Sequence, residues 1–291
     1  MTLSYLCTEH ENDRRLFSVL HYQMRLSTGL IKRIKYETDF IVNGVPQHTD
    51  YLLHTGDRIV LTLPEESADF PPEPGELNIL YEDEALIALH KPAGIIIHPS
   101  ATRNTGTLAN RVIAHTGGTA HPLNRLDRDT TGVILFAKNG YIKSILTDDM
   151  LHGRVHKTYC ACVYGSLPAE SGVIELPIDR IGPDSLYRRI SPDGQPARTG
   201  YQLIRQADRW SLYDFTPYTG RTHQIRLHCF ALGAPILGDP FYSDGEAREF
   251  SLSLGLTTQL LCCRKLAFRH PLSGDDMVIE CRPEFYSFPW F

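Results

Sequence analysis

Between Leu63 and Leu77 the chain reads PEESADFPPEPGE, four prolines and five acids in thirteen residues, and this stretch limits every architecture open to the rest. Proline removes backbone donors and clustered carboxylates repel, so neither a helix nor a sheet can run through it. It reads as a linker over residues 64–76, separating a module of residues 1–63 from a larger part, residues 77–291. A module of about sixty residues buries too little surface to be very stable but can fold.

Charge follows the same division. The net charge of −5 argues mildly against a nucleic-acid partner. Phosphates respond to local potential, however, and the distribution is uneven. Residues 14–35 carry Arg14, Arg15, Arg25, Lys32, Arg33 and Lys35 with no acid among them, while residues 59–90 carry eight acids and neither Lys nor Arg. Two ordinary solvated faces would look the same on charge alone. No apolar run approaches the ~20 residues that span a bilayer. The opening MTLSYLCTEHENDRR has no cationic lead into an apolar core, so no signal peptide is expected. Seven cysteines, an odd number, read as reduced buried thiols and point to the cytoplasm.

In the module, apolar and basic residues intermix from Phe17 to Tyr36, which suits one or two short helices. FIVNGVPQ then reads as a hairpin turning at Asn43-Gly44, and DRIVLTL as a strand. The larger part is strand-rich. LNILYEDEALIALHKP suits two strands around an acidic turn, TGVILFAK a buried strand, YIKSILTDDML a helix, HKTYCACVYG a strand, and GYQLIRQ with WSLYDFTP a hairpin. Thr222 is expected to cap a helix through HQIRLHCFALG that ends at Gly233. The alternating long helices of a doubly wound sheet are missing, so the fold class is α+β with a mixed, mostly antiparallel sheet.

Four segments carry residues suited to chemistry. RLDRDTTGVILFAK (125–138) sets Asp127 and Asp129 just before a strand, where they either cap a turn or present a carboxylate from a rigidly held loop. TGRTHQIRLHCFALGAPILGDPFY (219–242) puts Arg221 near a helix start and Arg226 between Ile225 and Leu227. A cation so flanked either snorkels or has a carboxylate or phosphate partner. HKPAGIIIHPS (90–100) turns at Pro92 and Gly94 and ends an apolar run on His98. KTYCACVYG (157–165) sets Lys157, Tyr159 and Ala161 on one side of a strand, Tyr159 being either a core residue or a base-stacking platform. His152, His156, Cys160 and Cys162 fit the usual zinc spacings poorly, so no metal is expected. No P-loop, dinucleotide glycine pattern or G-x-S-x-G is present.

Taken together and in this order, the four segments resemble the Rlu-type (large-subunit rRNA) family of RNA pseudouridine synthases, and LLCCRKLAFRHPLSGDDM resembles its closing stretch; the likeness covers residues 77–284. The first 63 residues are similar to a ribosomal-protein-like RNA-binding domain, on the basic helical segment and the VNG…GDRIVL pattern, which assigns Arg25, Lys32, Arg33 and Lys35 to RNA. The resemblance implies a pseudouridine synthase fold that isomerises uridines in structured RNA. Large-subunit ribosomal RNA is the first expectation and transfer RNA the second; no cofactor is required, and the chain is expected to act as a monomer. It makes Asp127 the essential carboxylate, with Arg226 paired to it and Tyr159 stacked on the uracil. Ile225 packs the pocket floor, Arg125 and Arg221 contact RNA, and Lys157 and His98 complete the substrate surface. Asn124 stands where relatives usually have His, and His90 where they usually have Asn. A non-catalytic RNA-binding or ribosome-assembly factor would keep the basic module and tolerate loss of Asp127.

Overall fold

The computed structural model describes residues 1–99, 103–182 and 185–291. The first 63 residues run β1 (Thr2–Leu6), α1 (Leu16–Ser18), a wider turn over Val19–Gln23, α2 (Thr28–Glu37), β2 (Phe40–Val42), β3 (Val45–Gln47) and β4 (Arg58–Thr62). The strands form one sheet in the order β1-β4-β2-β3. Asn43 and Gly44 both take positive φ, 52° and 83°, the conformation a tight hairpin of this hand needs. In α2 the Ser27 side chain accepts from Leu30 N, and Ile31 and Ile34 are buried, so Lys32 and Lys35 point to solvent. β1 lies outside the sequence expectation.

The remainder runs β5 (Ile79–Glu82), β6 (Leu86–Lys91), α3 (Leu108–Thr116), β7 (His121–Pro122), β8 (Thr131–Ala137), α4 (Gly140–Leu151), β9 (His156–Tyr164), β10 (Ser171–Glu175), β11 (Ile178–Arg180), β12 (Arg188–Ile190), β13 (Arg198–Gln206), β14 (Trp210–Pro217), α5 (Gln224–Ala231), α6 (Gly245–Ser253), β15 (Leu261–Arg269) and β16 (Asp276–Glu280). The large sheet is ordered β10-β13-β14-β9-β15-β8-β6-β5, with β16 on β15 and β7 on β8. Its pairs are antiparallel except β8 with β15. This is the α+β, mostly antiparallel sheet expected. Among the described residues β15 alone joins its two halves, β10-β13-β14-β9 and β8-β6-β5. All seven residues of β8 are buried, so it reads as a continuous apolar run rather than an alternation.

At the central crossing only glycine fits. Gly132 takes φ 110°, and a Cβ there would sit 2.3 Å from the Cys263 carbonyl oxygen, a backbone atom. The parallel pairing of Cys263 with Gly132 thus depends on the missing side chain.

The acidic stretch 64–76 has no helix or strand, but it is not the free spacer its composition suggested. Glu66 accepts from Gly140 N at the start of α4 and Glu73 from Gly106 N; Asn110 donates to the Pro71 carbonyl. Carboxylates that would repel in isolation each find a donor on the larger part, one of them at a helix N-terminus. Arg25, assigned to RNA on the sequence, is engaged within the protein. Its guanidinium donates to Asp149 Oδ1 at 2.7 Å and Asp148 Oδ2 at 2.8 Å on α4. The Asp149 carboxylate is nearly buried and is shared by Arg25 and Arg154, so the half-buried Arg25 fastens the first 63 residues to α4. Met24 beside it accepts from the Tyr141 hydroxyl. Among the described residues no helix is long and apolar enough to cross a membrane.

Candidate active site

Asp127 sits on the loop between β7 and β8, and that loop is fixed from several directions. Lys91, fully buried at the end of β6, donates its three protons to the carbonyls of Pro92 (2.9 Å), Arg128 (2.6 Å) and Thr130 (3.0 Å). Burial draws its pKa down to about 8, which leaves it charged at neutral pH with a carbonyl for every donor. Thr130 N closes a turn on the Asp127 carbonyl, and Gln259 donates to the Thr130 hydroxyl. Asn124 donates to Val133 O and accepts from Leu135 N, both at 2.9 Å. The departure from the usual His therefore has a structural use: an amide joins the loop to β8 as a strand neighbour would.

The carboxylate meets α5. Asp127 Oδ2 accepts from Arg226 Nη1 at 3.0 Å; the Arg226 side chain is 3% exposed and that of Asp127 28%. Arg226 belongs first to another acid. Asp239, its side chain fully buried, accepts from Arg226 Nε at 2.6 Å and Nη2 at 2.8 Å, the two-pronged geometry that suits a guanidinium. The rings of Phe241 and Tyr242 cover the same guanidinium at 5.2 and 5.3 Å. Burial works against the charge on Arg226, but Asp239 and then Asp127 more than offset it, so its pKa stands above the ordinary arginine value. Asp239 also accepts from Phe241 N and Tyr242 N. The guanidinium is thus held still before Asp127 uses it, and one face of the aspartate stays open.

Tyr159 on β9 is buried, and its phenol feels the Asp127 carboxylate. Burial, then Cys263, then Asp127 hold its pKa well above the ordinary value, so it stays neutral near pH 7 and cannot serve there as a base. Ile225 is buried on α5 one residue before Arg226. Lys157 lies two residues before Tyr159 on β9, half-buried, and burial lowers its pKa. Arg125 is exposed and makes no hydrogen bond or ion pair among the described residues. Arg221 is exposed, its Nε donating to the Pro196 carbonyl. His98 is exposed, bonds through Nδ1 to Pro99 O and packs edge-on against Phe70 at 4.8 Å; no contact ties it to Asp127. Asp129 turns away to Arg128.

The start of α5 differs from the expectation. His223, not Thr222, is the N-cap, in a left-handed conformation with φ 58° and no side-chain cap bond. Gln224 does the capping work, accepting from Arg221 N at 3.0 Å and from the Thr219 hydroxyl at 2.7 Å. This places His223 Nε2 3.8 Å from Asp127 Oδ2 and its Nδ1 2.9 Å from the Tyr242 hydroxyl. Neither His223 nor Asp239 was singled out from sequence. Asp239 had a signal, an acid in the GDP turn downstream of a buried arginine; His223 had none, because its place depends on a positive φ.

Burial holds the pKa of His223 below its ordinary value, with the Asp127 carboxylate opposing. As pH falls from about 6.5, the unfolded chain binds a proton that folded His223 refuses, so stability falls through that window; above it the residue contributes nothing. His223→Asn should therefore flatten the stability loss below about pH 6.5, read from urea unfolding at a series of pH values. Parallel curves for the two proteins would remove His223 from this account.

Comparison with known proteins gives the class. The sequence model of the RNA pseudouridylate synthase family matches residues 85–231. The chain belongs to this family and is an RNA pseudouridine synthase, an isomerase. Within it, the relatives are those of the Rlu type. The chain is 35% identical over 286 residues to the uncharacterized RNA pseudouridine synthase YhcT of Bacillus subtilis, covering 96% of this chain and 92% of that protein. It is 32% identical over 252 residues to ribosomal large subunit pseudouridine synthase D of Xanthomonas campestris, covering 82% of this chain and 76% of that one. Among solved structures it is similar to human RNA pseudouridylate synthase domain containing 4, with a TM-score of 0.58 and 26% identity over 72% of this chain and 90% of that chain.

Proposed function

We propose that this enzyme isomerises uridines of large-subunit ribosomal RNA, with Asp127 as the reacting carboxylate. The observation that carries the reading is a carboxylate bound at 3.0 Å to a buried arginine yet still 28% exposed. The reaction breaks the N1–C1′ bond, turns the uracil, joins C5 to C1′ and moves the C5 proton to N1. A carboxylate can attack the sugar or the base, or act as a base on the sugar. Each route needs the uridine out of its helix, which costs a few kcal/mol. Stacking on Tyr159 returns ~1–3 kcal/mol. Ile225 floors the pocket, and Arg125, Arg221, Lys157 and His98 hold the flanking RNA.

Ribosomal RNA is favoured over transfer RNA by the relative named for the large subunit, 32% identical. Mapping pseudouridines in cells with and without the protein should show sites lost from large-subunit ribosomal RNA. Loss confined to transfer RNA would reverse the choice of substrate.

Residues 1–63 serve in this reading as an RNA-binding module, and of the four cations assigned to RNA Lys32 and Lys35 are exposed, while Arg33 is engaged by Glu37 and the Glu65 carbonyl. Each phosphate contact contributes ~0.7–0.9 to the slope of log affinity against log salt. The double variant Lys32→Ala, Lys35→Ala should lower that slope by roughly 1.4–1.8. An unchanged slope would exclude these two lysines from the RNA interface.

A further inference from the structure

On the strands that support the Asp127 loop, three donor side chains converge that the isomerisation does not use. His90 precedes Lys91 in β6, Cys262 lies in β15, and Cys281 follows β16. Their ligand atoms all lie within 4.8 Å of one another. Cys262 Sγ and Cys281 Sγ are 3.8 Å apart. His90 Nε2 is buried without a hydrogen-bond partner, a state that carries a desolvation cost of about 1–3 kcal/mol. Its backbone is fixed, since His90 N donates to Asn78 O at 2.8 Å, so the ring cannot easily withdraw.

We propose that His90, Cys262 and Cys281 form a zinc site, three protein donors around one ion. A tetrahedral zinc holds thiolates at ~2.3 Å, which sets two sulfurs about 3.8 Å apart. That is the separation found, and it is too long for a disulfide, whose sulfurs lie ~2.0 Å apart. Thiolate and imidazole donors select zinc or monovalent copper and exclude magnesium and calcium, which take oxygen. The ion would supply the partner that His90 Nε2 lacks. It would also tie the segment after β16 to β6 and β15, whose next residues, Lys91 and Cys263, flank the catalytic loop.

This departs from the sequence expectation of no metal, which considered a different set. His152 is occupied by Asp148 at the end of α4 and takes no part. The donors proposed here come from three strands or strand ends scattered through the chain, so no spacing motif marks them.

The test is titration of the reduced, metal-free full chain with zinc against a chromogenic chelator. One zinc per chain should bind, and cobalt in its place should give thiolate-to-cobalt charge transfer with tetrahedral visible bands. His90→Asn and Cys281→Ser should each weaken zinc at least about tenfold, with circular dichroism reporting that each variant folds. Absence of stoichiometric binding by the wild-type chain overturns the proposal without reference to the variants. Unchanged affinity in both folded variants, binding of monovalent copper alone, or a Cys262–Cys281 disulfide in protein isolated without reductant would overturn it too.

Discussion

Replacing Asp127 with Asn is expected to abolish pseudouridine formation, a fall of roughly 10³-fold or more in kcat, while RNA binding and folding stay nearly intact. The expectation rests on how little else the carboxylate does. Its one close partner, Arg226, is already held twice by Asp239, so the guanidinium keeps its place when the charge at 127 is lost. The loop keeps its shape because Lys91 and Asn124 hold its backbone. Asn also preserves an oxygen for Arg226 Nη1. A loss of activity can thus be read as lost chemistry. Release of tritium from 5-tritiated uridine in RNA checks the rate, and filter binding checks affinity. Substantial turnover by the variant would eliminate the carboxylate role, and a matching loss of RNA affinity would make it a binding residue instead.

Asp239 should behave in the opposite way. Asp239→Asn leaves the buried Arg226 one acceptor at position 239 where there were two and removes the charge there, and losing one charge of a buried pair costs about 3–5 kcal/mol. The unfolding free energy should fall by that amount, read as a lower urea midpoint with the slope unchanged, and activity should fall with it as Arg226 loses its orientation. The double replacement Arg226→Met, Asp239→Leu removes both charges for apolar volume. It should recover most of the stability, since such exchanges are often neutral or better, yet remain inactive. Recovery of activity in the double variant would show that Arg226 is not needed to position Asp127. A single variant as stable as wild type would show that the pair is not the internal brace described above.

The sequence carried some of this arrangement and not the rest. Strands β6, β8, β9, β13 and β14 were legible because burial on one or two faces writes itself into apolar alternation or apolar runs. Helix α3, helix α6 and the β11–β12 hairpin were not legible. α3 is capped by a Thr107–Asn110 box at the end of a polar loop, and β11 and β12 are three residues each, too short for a period. In the site, Asp127, Arg226 and Tyr159 came from a resemblance, and the bond between the first two is the 3.0 Å contact that resemblance implied. Asp239 and His223 were missed because their importance lies in what they hold in three dimensions. Arg25 shows a related point: a positive charge in sequence does not say whether an acid elsewhere, here Asp149, has engaged it.

The position of β15 carries a consequence for how this chain is made. Vectorial synthesis delivers β6 and β8 long before β15, yet β15 is the strand that closes the gap between β8 and β9. Until it emerges, the nascent protein holds two half-sheets with bare inner edges, and β8, apolar on both faces, is a ready template for pairing with another chain. Asp127 precedes β8 and Arg226 follows β14, so the two halves that must meet to make the enzyme are the same two halves that one late strand brings together. The loop that holds Asp127 and the helix that holds Arg226 are therefore locked into one sheet only once β15 has been made, and a ribosome that stalls before β15 releases an aggregation hazard.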